Sequence, residues 1–432
     1  MKEIKFKQTE VGMIPCDWEV KSLSEITTRI TVGIANSATH AYSDKGIIMF
    51  RNQNIKPNFL DDSDLIYIKE SFETRYKNKR LKSFDLLVAR TGYPGTACVV
   101  PAKYENSQTF TTLIVSPKNT FVESFFLSYY MNSQYGKTFF ESSQIGGAQK
   151  NVNAHALSNM QIPFPPIDEQ KHIVKVLSDI DSVISTTEKL IAKKKALKQG
   201  AMQTLLSGKM RIQNGKWIKT THFKQTELGP IPQEWEVKSF GEVGKCFSAG
   251  ATPYRQINRF YEGNVKWVSS GELDYNIIQD TREHISIEAV KATNLTLHPK
   301  GTFLMAITGL EAAGTRGRCA ILGCEATTNQ SCLAIYESED LSVPYLYHFY
   351  VKYGDSLAFA YAQGSKQQSF TAAIVKKLPI VVPSSKEEQI AIANVLSDMD
   401  SEIAALETKL AKYRQLKTGM MQQLLTGKVR LV

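Results

Sequence analysis

A segment near the start of the chain returns 217 residues later. Residues 6–26, FKQTEVGMIPCDWEVKSLSEI, match residues 223–243, FKQTELGPIPQEWEVKSFGEV, at 14 of 21 positions. A second pair, residues 169–212 and 388–431, matches at 23 of 44 positions with an offset of 219. Nearly equal offsets make the 432-residue chain two tandem units, each a mixed globular segment followed by a long helical one. Whatever surface one unit presents, the other presents in a related form.

In the C-terminal stretch apolar residues fall at Ile392, Leu396, Met399, Ile403, Leu406, Leu410, Tyr413, Met420 and Leu424, alternately four and three apart, with Lys417 the one polar interruption. That is a sustained heptad seam. The first repeat carries Ile173, Leu177, Ile180, Ile184, Thr187, Ile191, Lys194, Lys198, Ala201 and Leu205, apolar at its ends and polar in its middle. One helix cannot bury such a stripe alone, so the two are expected to pack on each other within the chain. Prolines stand just before each helix, in IPFPPIDEQ and LPIVVPSSKEEQ, where the first turn tolerates them. Both exits read LL-[ST]-G-K, with Gly208 and Gly427 suited to a left-handed C-terminal position. A helix over about 168–207 would be roughly 60 Å long at 1.5 Å per residue. An antiparallel pair is expected, because a parallel one would require residues 213–387 to carry the chain back along the whole bundle.

The globular segments read as mixed α/β. Strand-like stretches lie at 46–50, 86–89, 97–100 and 113–116 in the first, and at 265–268, 302–307, 319–322 and 332–336 in the second. An aromatic helix follows in each, at 124–141 and 344–361, and is read as core, as are the matching Trp18 and Trp235. The expected division is 1–160, 161–212, 213–380 and 381–432.

A net charge of +10 favours a polyanionic partner over an acidic small substrate. Nine basic residues crowd between Thr186 and Thr220 against one acid, Glu188, and form either a solvated helix face or a phosphate-facing stripe. Six cysteines show no C-x-x-C pair, so neither a disulfide framework nor a zinc knuckle is expected. No apolar run resembles a secretory signal or a membrane span, and the cytoplasm is the expected compartment. G-x-G, G-x-x-x-x-G-K-[ST] and H-E-x-x-H patterns are all missing, so no dinucleotide, P-loop or zinc-protease motif is present. The repeated Glu19-Val20-Lys21 and Glu236-Val237-Lys238 could end a metal-dependent nuclease motif, but such charges on a strand are common. A duplicated basic scaffold without a catalytic constellation points to binding and assembly. The rival reading is the recognition portion of a DNA-modifying or DNA-cleaving enzyme with its own activity.

Taken together, [VL]-G-x-IP-x-[DE]-WEVKS, a helix begun through PPI-x-EQ or KEEQ, VLSD-[IM]-D and the exit LL-[ST]-GK resemble the specificity subunit of type I restriction–modification systems over essentially the full chain. The resemblance implies an α+β chain. Two mixed α/β target-recognition domains, 1–160 and 213–380, would be separated by two long antiparallel helices forming an intramolecular coiled coil with a pseudo-two-fold internal repeat. It also implies a non-catalytic subunit that binds an asymmetric bipartite site on double-stranded DNA, one half-site per domain. Two methyltransferase subunits would dock on the helices, and restriction subunits would join through the assembled complex. This chain would then hold no cofactor and no metal. S-adenosylmethionine, ATP and magnesium would serve the partners.

Candidate base and phosphate contacts follow from side-chain chemistry, since Arg pairs bidentately with guanine, Asn or Gln with adenine, and Lys mainly with phosphate. In the first domain they are Arg51, Asn52, Gln53, Arg90, Tyr93, Gln149, Lys150 and Asn151. In the second they are Ser269, Ser270, Arg316, Arg318, Gln330, Lys366, Gln367 and Gln368. The two sets occupy loops that diverge between the repeats, as readers of different sequences must.

Overall fold

The computed structural model describes residues 5–143, 151–213, 215–312, 314–364 and 368–431. The chain forms two compact units, Met1–Glu188 with Thr408–Val432, and Lys189–Glu407. The two long helices, Ile167–Leu205 and Lys386–Leu424, contain 39 residues each. Each contributes one stretch to unit 1 and one to unit 2. Acidic first turns, Asp168 and Glu169 in one and Glu387 and Glu388 in the other, complement the helix dipole.

Unit 1 carries two four-stranded sheets. The first runs Ala97–Val99, Leu86–Val88, Leu113–Pro117, Thr27–Val32, and the second Gln108–Thr109, Ile47–Phe50, Ile66–Ile68, Tyr42–Ser43. Its aromatic segment is two helices, Ser124–Asn132 and Gln134–Ser142, where a single one was expected. Ser133 breaks it by taking an extended backbone and accepting the N–H of Gly136. Unit 2 has a five-stranded sheet in the order Lys245–Ala249, Cys332–Tyr336, Phe303–Ala306, Cys319–Leu322, Asn276–Ile278. A three-stranded sheet lies beside it, and the aromatic helix Val343–Tyr361 is unbroken. Phe126, Leu127, Tyr345 and Phe349 are fully buried, so these helices are core.

The repeated WEVKS motif has a strand partner. Glu19–Ser22 pairs antiparallel with Gln161–Phe164, just before the central helix, and Glu236–Ser239 pairs with Pro379–Val382 just before the C-terminal one. Glu19 and Lys21, two apart on one strand face, pair with each other at 2.9 Å, and Glu236 and Lys238 do so at 3.5 Å.

Each unit closes with the same buried clasp. In unit 1 the Trp18 indole N–H donates to Glu169 at 3.0 Å, and Arg430 reaches both Glu169 and Asp17. Hydrogen bonding to Arg430 holds the Asp17 carboxyl below the usual range. In unit 2 Trp235 donates to Glu388 at 3.1 Å, and Arg211 pairs with Glu388 and Glu234. The tail of the C-terminal helix therefore completes unit 1, and the tail of the central helix completes unit 2. Gly427 (φ +68°) and Gly208 (φ +69°) make the left-handed turn at these exits, where a Cβ would collide with the rings of Pro15 and Pro232. The prolines of the IP-x-x-W motif thus explain the glycine that both exit motifs share.

Within each unit the helical stretches pair antiparallel. In unit 1 Asp181 meets Lys417 and Glu188 meets Arg414; in unit 2 Lys194 meets Glu402, Lys195 meets Glu407 and Lys198 meets Asp400. Ile173, Leu177, Ile180 and Leu410 are buried in unit 1, as are Ile392, Leu396 and Ile403 in unit 2, while Ile184, Met399 and Leu406 are half-buried. Thr187, buried, returns its hydroxyl to the Val183 carbonyl. The polar middle of the first seam is thus a stretch stitched by ion pairs. Four of the nine crowded basic residues are neutralised, three across the helices and Arg211 in the clasp. Lys189, Lys193, Lys209, Lys216 and Lys219 remain exposed.

Candidate nucleic-acid interface

In unit 1 three loops meet at Asn52, in the turn that follows strand Ile47–Phe50. Its Oδ1 accepts the backbone N–H of Arg90 at 2.9 Å, and its Nδ2 donates to the hydroxyls of Thr91 and Thr111 at 3.2 Å each. Arg51 donates from Nη2 to the Asp64 carboxylate at 2.7 Å, and Gln53 donates to the same oxygen at 2.9 Å. Tyr93, 84% exposed, stands at the tip of the loop between strands Leu86–Val88 and Ala97–Val99. That loop folds back at Gly95 (φ +92°), where any Cβ would enter the Phe140 ring. Arg51, Asn52, Gln53 and Arg90 are therefore brought together, and Tyr93 belongs to the same loop as Arg90. Asn151 is half-buried with an unpartnered Oδ1, and no hydrogen bond ties it to this cluster. Gln149 and Lys150 lie outside the described residues.

Unit 2 builds the corresponding turn with different chemistry. The Ser269 backbone N–H and hydroxyl each donate to Glu272 at 2.8 Å, where in unit 1 the Arg51 backbone N–H donates to Asn54 at 2.9 Å. The segment behind it supplies the backbone N–H of Arg282 to Glu272 at 2.8 Å. Ser270 is half-buried in that turn. Arg318 donates to the Gly314 carbonyl and, with Glu272, Asp274, Asn276 and Arg282, lines an open cleft of about 630 Å³. Arg316 is held against the aromatic helix, 3.3 Å from Asp355 and stacked 5.2 Å over the Phe359 ring. Gln330 accepts from Thr252 at 2.5 Å and follows Asn329, whose N–H binds the Val268 carbonyl just before the turn, while Gln368 anchors the long loop through Glu311 and Leu310. Lys366 and Gln367 lie outside the described residues. Asp64, Thr91, Thr111, Asp355 and Phe359 escaped the sequence reading. Comparing the two repeats position by position could have flagged only the loop residues among them.

A family model described as "Type I restriction modification DNA specificity domain" matches the chain twice, over residues 15–196 and 232–413. The chain belongs to that family. As a specificity subunit it is a DNA-recognition component without catalytic activity of its own, and it works within a type I restriction–modification system. Two specificity subunits of Methanocaldococcus jannaschii are similar over its whole length. MjaX, so named provisionally, is 26% identical and MjaVIII 23%; 98% and 97% of those chains are covered. The S subunit of M. genitalium shares the fold, with a TM-score of 0.59 at 12% identity over 94% of this chain and 96% of that one. Among the described residues of this specificity subunit, no group of three or more metal-ligating side chains could hold an ion, and no helix is long and apolar enough to cross a membrane.

Proposed function

We propose that each unit reads one half of an asymmetric bipartite site on double-stranded DNA, and that the long helices set the gap between the halves. The observation that carries this is the contrast between scaffold and turn. The units agree down to the Trp–Glu–Arg clasp, yet the corresponding turn carries Arg51, Asn52 and Gln53 in one and Ser269, Ser270 and Gly271 in the other. Readers of different sequences need different side chains on a shared frame, and this turn with the loops beside it is where the two units differ. Domain boundaries at 160, 212 and 380 suit this division of labour.

Two methyltransferase subunits dock on the helices in this account, and restriction subunits join through the assembled complex. Outward-facing apolar residues suit such docking. In unit 2 Leu197, 51% exposed, borders a shallow groove of about 600 Å³ with Ala196, Gly200 and Thr204, and in unit 1 Val183 and Leu416 are exposed on their helices. S-adenosylmethionine, ATP and magnesium serve those partners in the cytoplasm, and this chain contributes recognition alone.

Deleting one matched heptad from each helix tests the proposal. Seven residues shorten a helix by about 10 Å. The preferred gap between half-sites should shrink while both half-site sequences persist; an unaltered gap would contradict the assignment of spacing to the helices.

A further inference from the structure

Unit 1 holds two arginines on adjoining loops, and their electrostatic states differ. The Nη2 of Arg51 is bound to Asp64 twice, at the carboxylate (2.7 Å) and at the carbonyl (3.2 Å), and Gln53 is bound to the same carboxylate. Two of the side chains best able to read a base edge are thus spent on one acid. Arg90 has no such partner. It is half-buried, its Nε is closed off from solvent without an acceptor, and no carboxylate or carbonyl among the described residues meets its guanidinium. The Nε of Arg51 is likewise unpartnered, but that side chain is already neutralised at its tip.

The backbone of Arg90, by contrast, is fixed. Asn52 accepts its N–H and donates to the hydroxyls of Thr91 and Thr111, so the amide has committed its donors and its acceptor to tying three loops together. An amide engaged in this way has little left to offer adenine. The buried Nε lacks an acceptor in the free protein, and a ligand that brings acceptors to this guanidinium removes that cost. DNA offers two bidentate arrangements, the O6/N7 edge of guanine and the phosphate oxygens. Exposed lysines on flexible stems serve phosphates well, whereas a planar group on an anchored backbone suits a base edge, where register matters.

We infer that Arg90 is the guanine-reading residue of unit 1, that Asn52 is its positioning residue, and that Asp64 withholds Arg51 from the same task. This assignment rests on the half-site reading proposed above.

The test uses the full chain assembled with its methyltransferase partners, and duplexes in which each base pair of the site is changed singly. Arg90→Lys keeps the charge and loses the fork. It should lose roughly 10- to 100-fold discrimination at one guanine-containing pair of one half-site, with discrimination in the other half-site intact. Asn52→Ala should lose discrimination at that same pair, a coincidence that general loosening of the fold would not produce; its thermal midpoint, measured alongside, reports folding. Arg51→Ala should shift discrimination at that pair by a smaller factor. Weakening of every duplex alike by Arg90→Lys would make Arg90 a phosphate contact and overturn the assignment. So would loss of the discrimination in Arg51→Ala with its retention in Arg90→Lys. Wild-type complex that shows no half-site preference at all would overturn the half-site reading itself, and the assignment with it.

Discussion

Glu388→Ala is expected to destabilise unit 2 by about 3–5 kcal/mol, the range for breaking a buried ion pair by removing one partner. The glutamate is 2% exposed and receives three groups: the Trp235 indole N–H, the backbone N–H of Ile212 and the Arg211 guanidinium. Removing it leaves the buried Trp235 N–H and the part-buried Ile212 N–H unsatisfied, and Arg211, 7% exposed, with only Glu234 and Ser384. The effect reaches beyond one side chain because these groups come from three places: the repeated hairpin, the start of the C-terminal helix and the tail of the central one. Denaturant unfolding followed through Trp235 checks the size. Because Glu388 and Arg211 act on each other, Glu388→Ala and Arg211→Ala together should cost clearly less than the sum of the two, whereas simple additivity would mean that the clasp is not a unit. The equivalent change in unit 1, Glu169→Ala, should behave alike.

Lowering the pH from 7 to 5 should loosen unit 2 before unit 1. His298 and His348 are each 1% exposed. Burial pushes His298 down to about 4; burial, helped by the charge of Lys198, pushes His348 down to about 3. His298 faces the Tyr336 hydroxyl at 2.8 Å and His348 the Ser397 hydroxyl at 2.9 Å. Both are neutral in the fold, while an unfolded histidine binds its proton near pH 6.5. Their contribution is therefore fully present above that value and is lost as the pH falls toward the folded values, at roughly 2 kcal/mol for each by pH 5. The unit 1 histidines His40, His155 and His172 are exposed. Hydrogen exchange at the two pH values should show unit 2 amides speeding up first. Parallel loss in both units would refute the attribution to these two side chains.

The long helices were legible because heptads repeat the same local statement many times. The expected span 168–207 is observed as Ile167–Leu205, and strands Val265–Val268, Cys319–Leu322 and Cys332–Tyr336 stand where β-branched and apolar runs put them. The clasp was not legible, although all of its residues lay in the repeated segments. Arg430 meets Asp17 across 413 positions, and nothing local in either segment announces a partner so distant. The pairing of WEVKS with the pre-helix strand was hidden for the same reason. In the interface, side-chain type pointed to Arg51, Asn52 and Gln53, but whether a polar group is free to bind depends on what already binds it. Asp64 engages Arg51 and Gln53 from 13 and 11 positions away, and Thr111 reaches Asn52 from 59. Such contacts are set by the return path of the chain, which composition and periodicity do not encode.

The most direct measurement is a map of modified adenines in DNA methylated by a complex carrying this chain, set against the same complex without it. The predicted result is one motif that vanishes with the chain: two unlike half-sites separated by a fixed number of unspecified base pairs. A continuous or palindromic motif, or modification unchanged in the absence of the chain, would contradict two dissimilar readers held at a set distance.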